Sequence, residues 1–230
     1  MILDFRSTPE VLDFIGGAEA GRYAQAGPVT PDHVIRTKPK PLILSTPSTD
    51  DLDIFKSEVA NAIDQFRTDY QIYFERNNEC QATPKIMLDP MPRVIMVPGL
   101  GLFGLGNSAK AAAVTADLAE TTVRVVPQAE GIGTFESITE SDIFDIEYWS
   151  LEQAKLGKTA EKPLARHVVA VTGGASGIGL ATVRAFRSQG AEVAILDRDY
   201  DTASEEAAAI GLVNRVLPAD ELCLLYTSPS

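Results

Sequence analysis

The stretch from His167 to Asp197 constrains this 230-residue chain more than any other. Val168-Val169-Ala170-Val171 is an unbroken apolar run of the kind found in strands buried on both faces, and it leads straight into Thr172-Gly173-Gly174-Ala175-Ser176-Gly177-Ile178-Gly179. A helix-compatible segment follows, Leu180 to Gln189, stopped by Gly190. Glu192-Val193-Ala194-Ile195-Leu196 then predicts a second strand, which finishes at Asp197. Strands joined by a helical crossover lie parallel, so the segment reads as one βαβ unit. Its glycines permit a tight turn and a close approach to a pyrophosphate, whose charge the exposed amides at the helix N-terminus stabilise. Thr172, Gly173, Ala175, Ser176, Gly177, Ile178 and Gly179 are therefore the expected cofactor-binding residues, together with Asp197. Asp197 stands 18 residues past Gly179, where a carboxylate accepts hydrogen bonds from a ribose 2′-hydroxyl and repels a 2′-phosphate. That favours NAD over NADP.

Composition sets wider bounds. With 45% hydrophobic and 23% charged residues, the chain has the make-up of a soluble globular protein of one domain or two. Its 20 Lys and Arg face 32 Asp and Glu, a net charge of −12. Such a balance repels phosphate backbones and anionic headgroups, so neither nucleic acid nor a membrane is an expected partner. Arg36-Thr37-Lys38-Pro39-Lys40 is the one run that resembles a basic patch. Cys80 and Cys223 show neither a disulfide framework nor a metal-ligand spacing and read as reduced thiols. The N-terminus lacks a basic segment followed by an apolar run, and no apolar stretch approaches the roughly 20 residues of a membrane span. A cytoplasmic protein is expected.

Along residues 1–157 the pattern alternates between short strands and helices. Ile2–Phe5 reads as a strand, and Thr8-Pro9-Glu10 opens a short helix that Gly16-Gly17 ends. The proline-rich stretch from Pro28 to Pro47 excludes regular helix but leaves Leu42-Ile43-Leu44 as one buried strand. Leu52, Phe55, Val59, Ile63, Phe66, Tyr70 and Tyr73 recur at three- and four-residue steps, which predicts a helix to about Asn77 whose aromatic stripe packs in a core. Val94–Val97 predicts a buried strand, Asn107 to Thr122 an Ala-rich helix, Thr122 to Val126 a further strand, and Asp142 to Leu156 a helix around Tyr148-Trp149. Gly157 to Pro163 carries no large apolar residue, which places a linker at 158–166.

A second glycine segment, Pro98-Gly99-Leu100-Gly101-Leu102-Phe103-Gly104-Leu105-Gly106, also satisfies Gly-x-Gly-x-x-Gly. The expected strand after its helix ends in Pro127 rather than an acid, which favours close backbone packing or a phosphate contact over dinucleotide binding. His33 stands near Arg36 and Lys38, where it could touch substrate or phosphate; an ordinary structural hydrogen bond is the favoured reading. His167 reads as a residue of the domain edge.

The spacing Thr172-Gly173-x-x-x-Gly177-x-Gly179 resembles the short-chain dehydrogenase/reductase family over about residues 165–200. Three further runs, Thr30 to Lys38, Pro92 to Gly101 and Phe144 to Lys155, resemble bifunctional class II aldolase/short-chain dehydrogenases. In that family a zinc-dependent aldolase of rhamnulose-1-phosphate type precedes an NAD-dependent dehydrogenase that oxidises lactaldehyde. The resemblance implies an α/β fold of two partial domains, the second being the opening βαβ unit of a Rossmann-type parallel sheet. It assigns 1–157 to the aldolase half, 167–211 to the NAD-binding half, and leaves 212–230 as a foreign, chimeric tail. Residues 209–222 resemble an enoyl-CoA hydratase segment, the least supported of the three readings.

Residues that such chemistry requires are missing. A class II aldolase holds its divalent metal with several histidines, and this chain has only His33 and His167. No metal ligands are therefore expected here. Short-chain dehydrogenases use a Tyr-x-x-x-Lys pair, whereas Tyr148, Tyr200 and Tyr226 are followed four residues on by Glu152, Ser204 and Ser230. No catalytic residue is expected either. The chain reads as an internal fragment of a homo-oligomeric parent acting on a small-molecule substrate with NAD, or as a non-catalytic module binding nucleotide or phosphate.

Overall fold

Strand β1 (Ile2–Arg6) leads into α1 (Pro9–Gly16), whose start follows the sequence signals closely. The Thr8 hydroxyl accepts from the Val11 amide at 3.4 Å, Pro9 needs no donor at the first helical position, and Glu10 faces the positive end of the dipole. Short α2 (Ala20–Tyr23) follows, then a single 3-10 turn (Pro31–His33) and α3 (Val34–Thr37). The 3-10 turn and α3 fall in the stretch from Pro28 to Pro47 expected to exclude regular helix. Pro31 opens the first of them and no proline interrupts 32–38, so about two turns fit before Pro39 forces extended backbone.

The structure is a computed structural model that describes residues 1–47, 52–154 and 162–209. The chain divides into one compact unit spanning Leu3–Thr159 and a second built mainly from the residues after it. In the first unit, four strands lie in the order β1-β4-β3-β2. Strand β2 (Leu42–Ile43) is followed by the long α4 (Leu52–Asn78), then β3 (Val94–Val97) and β4 (Gly101–Gly106). β2 runs parallel to β3 with Leu42 beside Ile95, and β3 runs antiparallel to β4 with Val97 opposite Gly101.

Helix α5 (Ala109–Glu130) lies against β4 and closes a core of Val11, Phe14, Met96, Leu102 and Val126. The strand expected at Thr122 to Val126 is part of this helix. Ala112, Ala116, Ala119, Val123 and Val126 recur at helical spacing and are all buried, so packing of one face overrides the β-preference of the valines. The helix even includes Pro127.

Two short helices, α6 (Glu140–Glu147) and α7 (Ser150–Ala154), replace the single helix expected from Asp142 to Leu156. Tyr148 leaves helical geometry at φ −100° and ψ 11°, with its ring buried beside Phe144. The α4 stripe is likewise only partly core. Leu52 is 66% exposed and Phe55, Val59, Ile63 and Phe66 are half-buried, while Tyr70 and Tyr73 are almost fully covered.

In the second unit, β5 (Val168–Thr172) and β6 (Glu192–Leu196) pair in parallel from Val168 beside Glu192 to Thr172 beside Leu196. Helix α8 (Gly177–Ser188) makes the crossover and α9 (Tyr200–Ala209) follows β6. Val171, Val183, Ala191 and Val193 form the core of this βαβ unit. The fold is thus mixed α/β with a Rossmann-type second unit. The expected 212–230 tail and residues 158–161 of the expected linker lie outside the described residues. Among the described residues no helix is long and apolar enough to cross a membrane.

Candidate functional site

Between β5 and α8 the backbone makes the turn that the glycines allow. Gly173 has φ +65° and Gly177 φ +51°, and around each the space a Cβ would enter is open. At Gly179 a Cβ would collide with the Gly173 carbonyl, so only glycine lets the first turn of α8 cross the loop this closely. Thr172 closes β5, and the Gly173 amide donates to the Leu196 carbonyl at 2.7 Å, tying the loop to the end of β6.

Helix α8 begins at Gly177 with Ser176 in extended geometry and no side-chain cap hydrogen bond, while Ile178 is 88% exposed. Its first turn therefore faces open space with the positive end of the helix dipole. Asp197 comes directly to this loop: one carboxylate oxygen accepts from the Ala175 amide at 3.0 Å and the other from the Asp199 amide at 3.1 Å. Those backbone donors, Ala175 foremost, hold its carboxyl below the ordinary carboxylate range and keep it ionised. The residues fit a dinucleotide, with a glycine cradle and helix amides for a diphosphate and an anchored anion for a ribose.

The second glycine segment is different in kind. Residues Gly101–Gly106 form β4 in a hairpin with β3, and only Asn107 and Ser108 stand between that strand and α5. A Cβ at Gly104 would lie 2.5 Å from the Ala116 amide nitrogen, and one at Gly106 would overlap the Ala112 amide. Gly104 and Gly106 serve close packing of β4 on α5.

His33 ends the 3-10 turn with Nδ1 2.6 Å from the Thr30 hydroxyl, a local structural bond. His167 Nδ1 lies 3.0 Å from the Ala165 carbonyl. Among the described residues no group of three or more His, Cys, Asp or Glu is arranged to hold a metal ion, so these residues do not fit the divalent metal of an aldolase.

A cluster that sequence reasoning missed lies inside the first unit. Glu147, fully buried at the end of α6, accepts from the Tyr70 hydroxyl at 2.8 Å, the Tyr73 hydroxyl at 3.1 Å and the Lys38 ammonium at 3.4 Å. The Tyr70 hydroxyl also meets that of Tyr148 at 2.7 Å, and the Lys38 ammonium sits 3.7 Å from the centre of the Tyr70 ring. Lys38 is 3% exposed and held at φ +68°, a region that lysine rarely adopts. Burial lowers its amine to about 8 against the opposing pull of Glu147, and burial raises Glu147 against the pull of Lys38 and the tyrosines. The run Arg36 to Lys40 is consequently no surface patch, because its central lysine is internal. Its signal in the sequence was faint: two tyrosines on one stripe and one acid among apolar neighbours.

Beside this cluster a cavity of about 540 Å³ opens between the 39–41 segment, α4 and α6, bordered by Phe66, Tyr70, Tyr73, Arg76 and Glu140.

Comparison with known proteins follows the division of the chain. Residues 1–156 match the family described as aldolase class II, second domain, and residues 167–219 match the short chain dehydrogenase family. The uncharacterized oxidoreductase YuxG of Bacillus subtilis (strain 168) is 33% identical over 212 residues, which cover 91% of this chain and 30% of that protein. Short-chain dehydrogenase reductase 4 of Arabidopsis thaliana is 37% identical over 76 residues, 32% of this chain and 25% of the relative. The chain thus spans less than a third of the length of either curated relative.

Proposed function

The chain belongs to the class II aldolase second-domain family through residues 1–156 and carries a short-chain dehydrogenase segment after it; from that premise we propose that it is part of a fused sugar-phosphate aldolase and NAD-dependent dehydrogenase. Residues 1–157 supply part of the aldolase half, 158–166 the connection, and 167–211 the start of the NAD-binding half. The whole enzyme cleaves rhamnulose 1-phosphate and oxidises the lactaldehyde released, with a divalent metal such as zinc held by residues other than those described here.

The observation that carries the dehydrogenase reading is the bond from the Ala175 amide to Asp197. It fixes an anion beside the glycine loop, where it accepts from ribose hydroxyls and repels an added phosphate. The amides of Gly177, Ile178 and Gly179 at the start of α8 would hold the diphosphate, with Gly173 and Gly177 keeping the approach clear and Thr172 and Ser176 at the two ends of the turn. Bound NAD supplies a hydride acceptor. Within this chain the described residues bind and orient; none is assigned a catalytic step.

Saturation-transfer NMR on the 230-residue chain tests the reading. NAD is expected to receive saturation with a weak affinity, on the order of millimolar, because the two described strands build half of the crevice that holds a dinucleotide. NADP is expected to receive little, and Asp197→Ala to erase the difference. Equal transfer to both nucleotides in the unaltered chain, or transfer to neither, would overturn the proposal.

A further inference from the structure

The cavity beside the Lys38–Glu147 cluster has no part in the reading above. Its volume, about 540 Å³, lies within the roughly 300–1,000 Å³ of small-molecule sites. Tyr70 and Tyr73 line it, yet their hydroxyls are spent on Glu147 at 2.8 and 3.1 Å. The two rings are thereby fixed and almost fully covered, so the apolar surface of the cavity comes mainly from Phe66, Ile72 and Ile138.

Polar groups border the cavity as well. Arg76 grips Glu140 through Nη2 at 2.6 and 2.7 Å and through Nε at 3.0 Å, and the Asn77 amide adds a bond to the same carboxylate at 2.9 Å. Lys40 acts electrostatically on Glu140, and Asp69 completes the border on α4. The Lys40 side chain is carried between Pro39 and Pro41, in a segment anchored at one end by buried Lys38 and at the other by Gln25, whose side-chain amide donates to the Pro41 carbonyl at 2.9 Å. The border is therefore built before any ligand arrives.

Those charges decide the ligand class. Lys40 and Arg76 face Asp69 and Glu140, so the border is neutral in sum and offers both donors and acceptors. A purely apolar ligand would strip water from Lys40, from Asp69 and from the outer side of the Arg76–Glu140 pair without replacing those hydrogen bonds. An anion meets two carboxylates, and a cation meets two bases. A hydroxyl donates and accepts at once, and a pyranose ring sets an apolar C–H face against a hydroxylated edge. We propose that this cavity binds a neutral, unphosphorylated sugar ring, its C–H face on Phe66, Ile72 and Ile138 and its hydroxyls on Asp69, Arg76, Glu140 and Lys40.

Saturation-transfer NMR with the full chain tests this, using the methyl glycosides of glucose, galactose and mannose against glucose 6-phosphate. At least one neutral glycoside should receive saturation on its ring protons, and more strongly than the phosphate ester. Asp69→Ala should weaken that binding about fivefold or more through loss of a charged acceptor. Ile72→Trp, at a half-exposed position on the cavity wall, should abolish it by filling the space. An amide fingerprint spectrum shows that both variants stay folded. No transfer to any of the three glycosides, equal or better binding of glucose 6-phosphate, or unchanged transfer in both folded variants would overturn the assignment. None of these readouts involves NAD, so the dinucleotide reading stands or falls separately.

Discussion

Glu147 has no exposure to solvent, and an ion of that kind survives only where its charge and both oxygens are answered. Lys38, Tyr70 and Tyr73 do this, and removing one of them leaves a buried charge uncompensated. Lys38→Met should therefore cost about 3–5 kcal/mol in urea denaturation, while Lys38→Met combined with Glu147→Gln costs less than the sum of the single changes. The pH dependence follows from the amine. Its folded value is about 8 and its ordinary value 10.5, so between these the unfolded chain binds the proton and the folded chain does not. Burying the ammonium carries a cost that Glu147 offsets only in part; that cost is full below 8 and disappears as pH rises to 10.5, so stability rises with pH across this range. Tyr70 and Tyr73, raised by burial, act oppositely once the pH exceeds their ordinary value of 10.0. Between pH 8 and 10 the unaltered chain should gain about 2 kcal/mol relative to the double variant, and a flat difference across that range would contradict the assignment. None of this was legible beforehand, since Lys38 and Glu147 stand 109 residues apart and nothing local links them.

Elements were legible where the deciding signal is local. Thr8, Pro9 and Gly17 bound α1 in the structure as their chemistry predicts, because caps act within one turn. Glu192–Leu196 is a strand over the span read from its apolar run. Thr122 to Val126 went the other way: β-branched residues prefer strands only in the absence of packing, and here the sheet supplies a partner for a helical face. That partner is shaped by glycine. Gly104→Ala would press a methyl group against the α5 backbone at Ala116, where no flexible side chain can yield. Its expected cost is about 2 kcal/mol or more by thermal denaturation, against a few tenths for an alanine at Gly133, around which the structure is open. A cost at Gly104 no larger than at Gly133 would count against close packing of β4 on α5.

On the scale of the whole chain the two units differ in how well their sheets are covered. All of β3 is buried, whereas β5 alternates exposed and half-covered residues around a single buried Val171, with Val168 70% exposed. Backbone hydrogen bonds open more readily where little apolar contact shields them. Amide exchange read by mass spectrometry should thus be faster over 168–172 and 192–196 than over 94–97 and 101–106, and the reverse order would show that burial does not set the stability of these sheets. What the amino-acid order determined alone was the α/β class, the βαβ unit and the conformation of its glycine turn, since periodicity, caps and backbone freedom are properties of a few consecutive residues. What tertiary structure decided was the hairpin at 94–106, the helix through Val123, the Lys38–Glu147 pair and the cavity beside it. Each of these depends on which distant surfaces meet, and the free energy of burial and pairing there exceeds the local preferences by which a sequence is read.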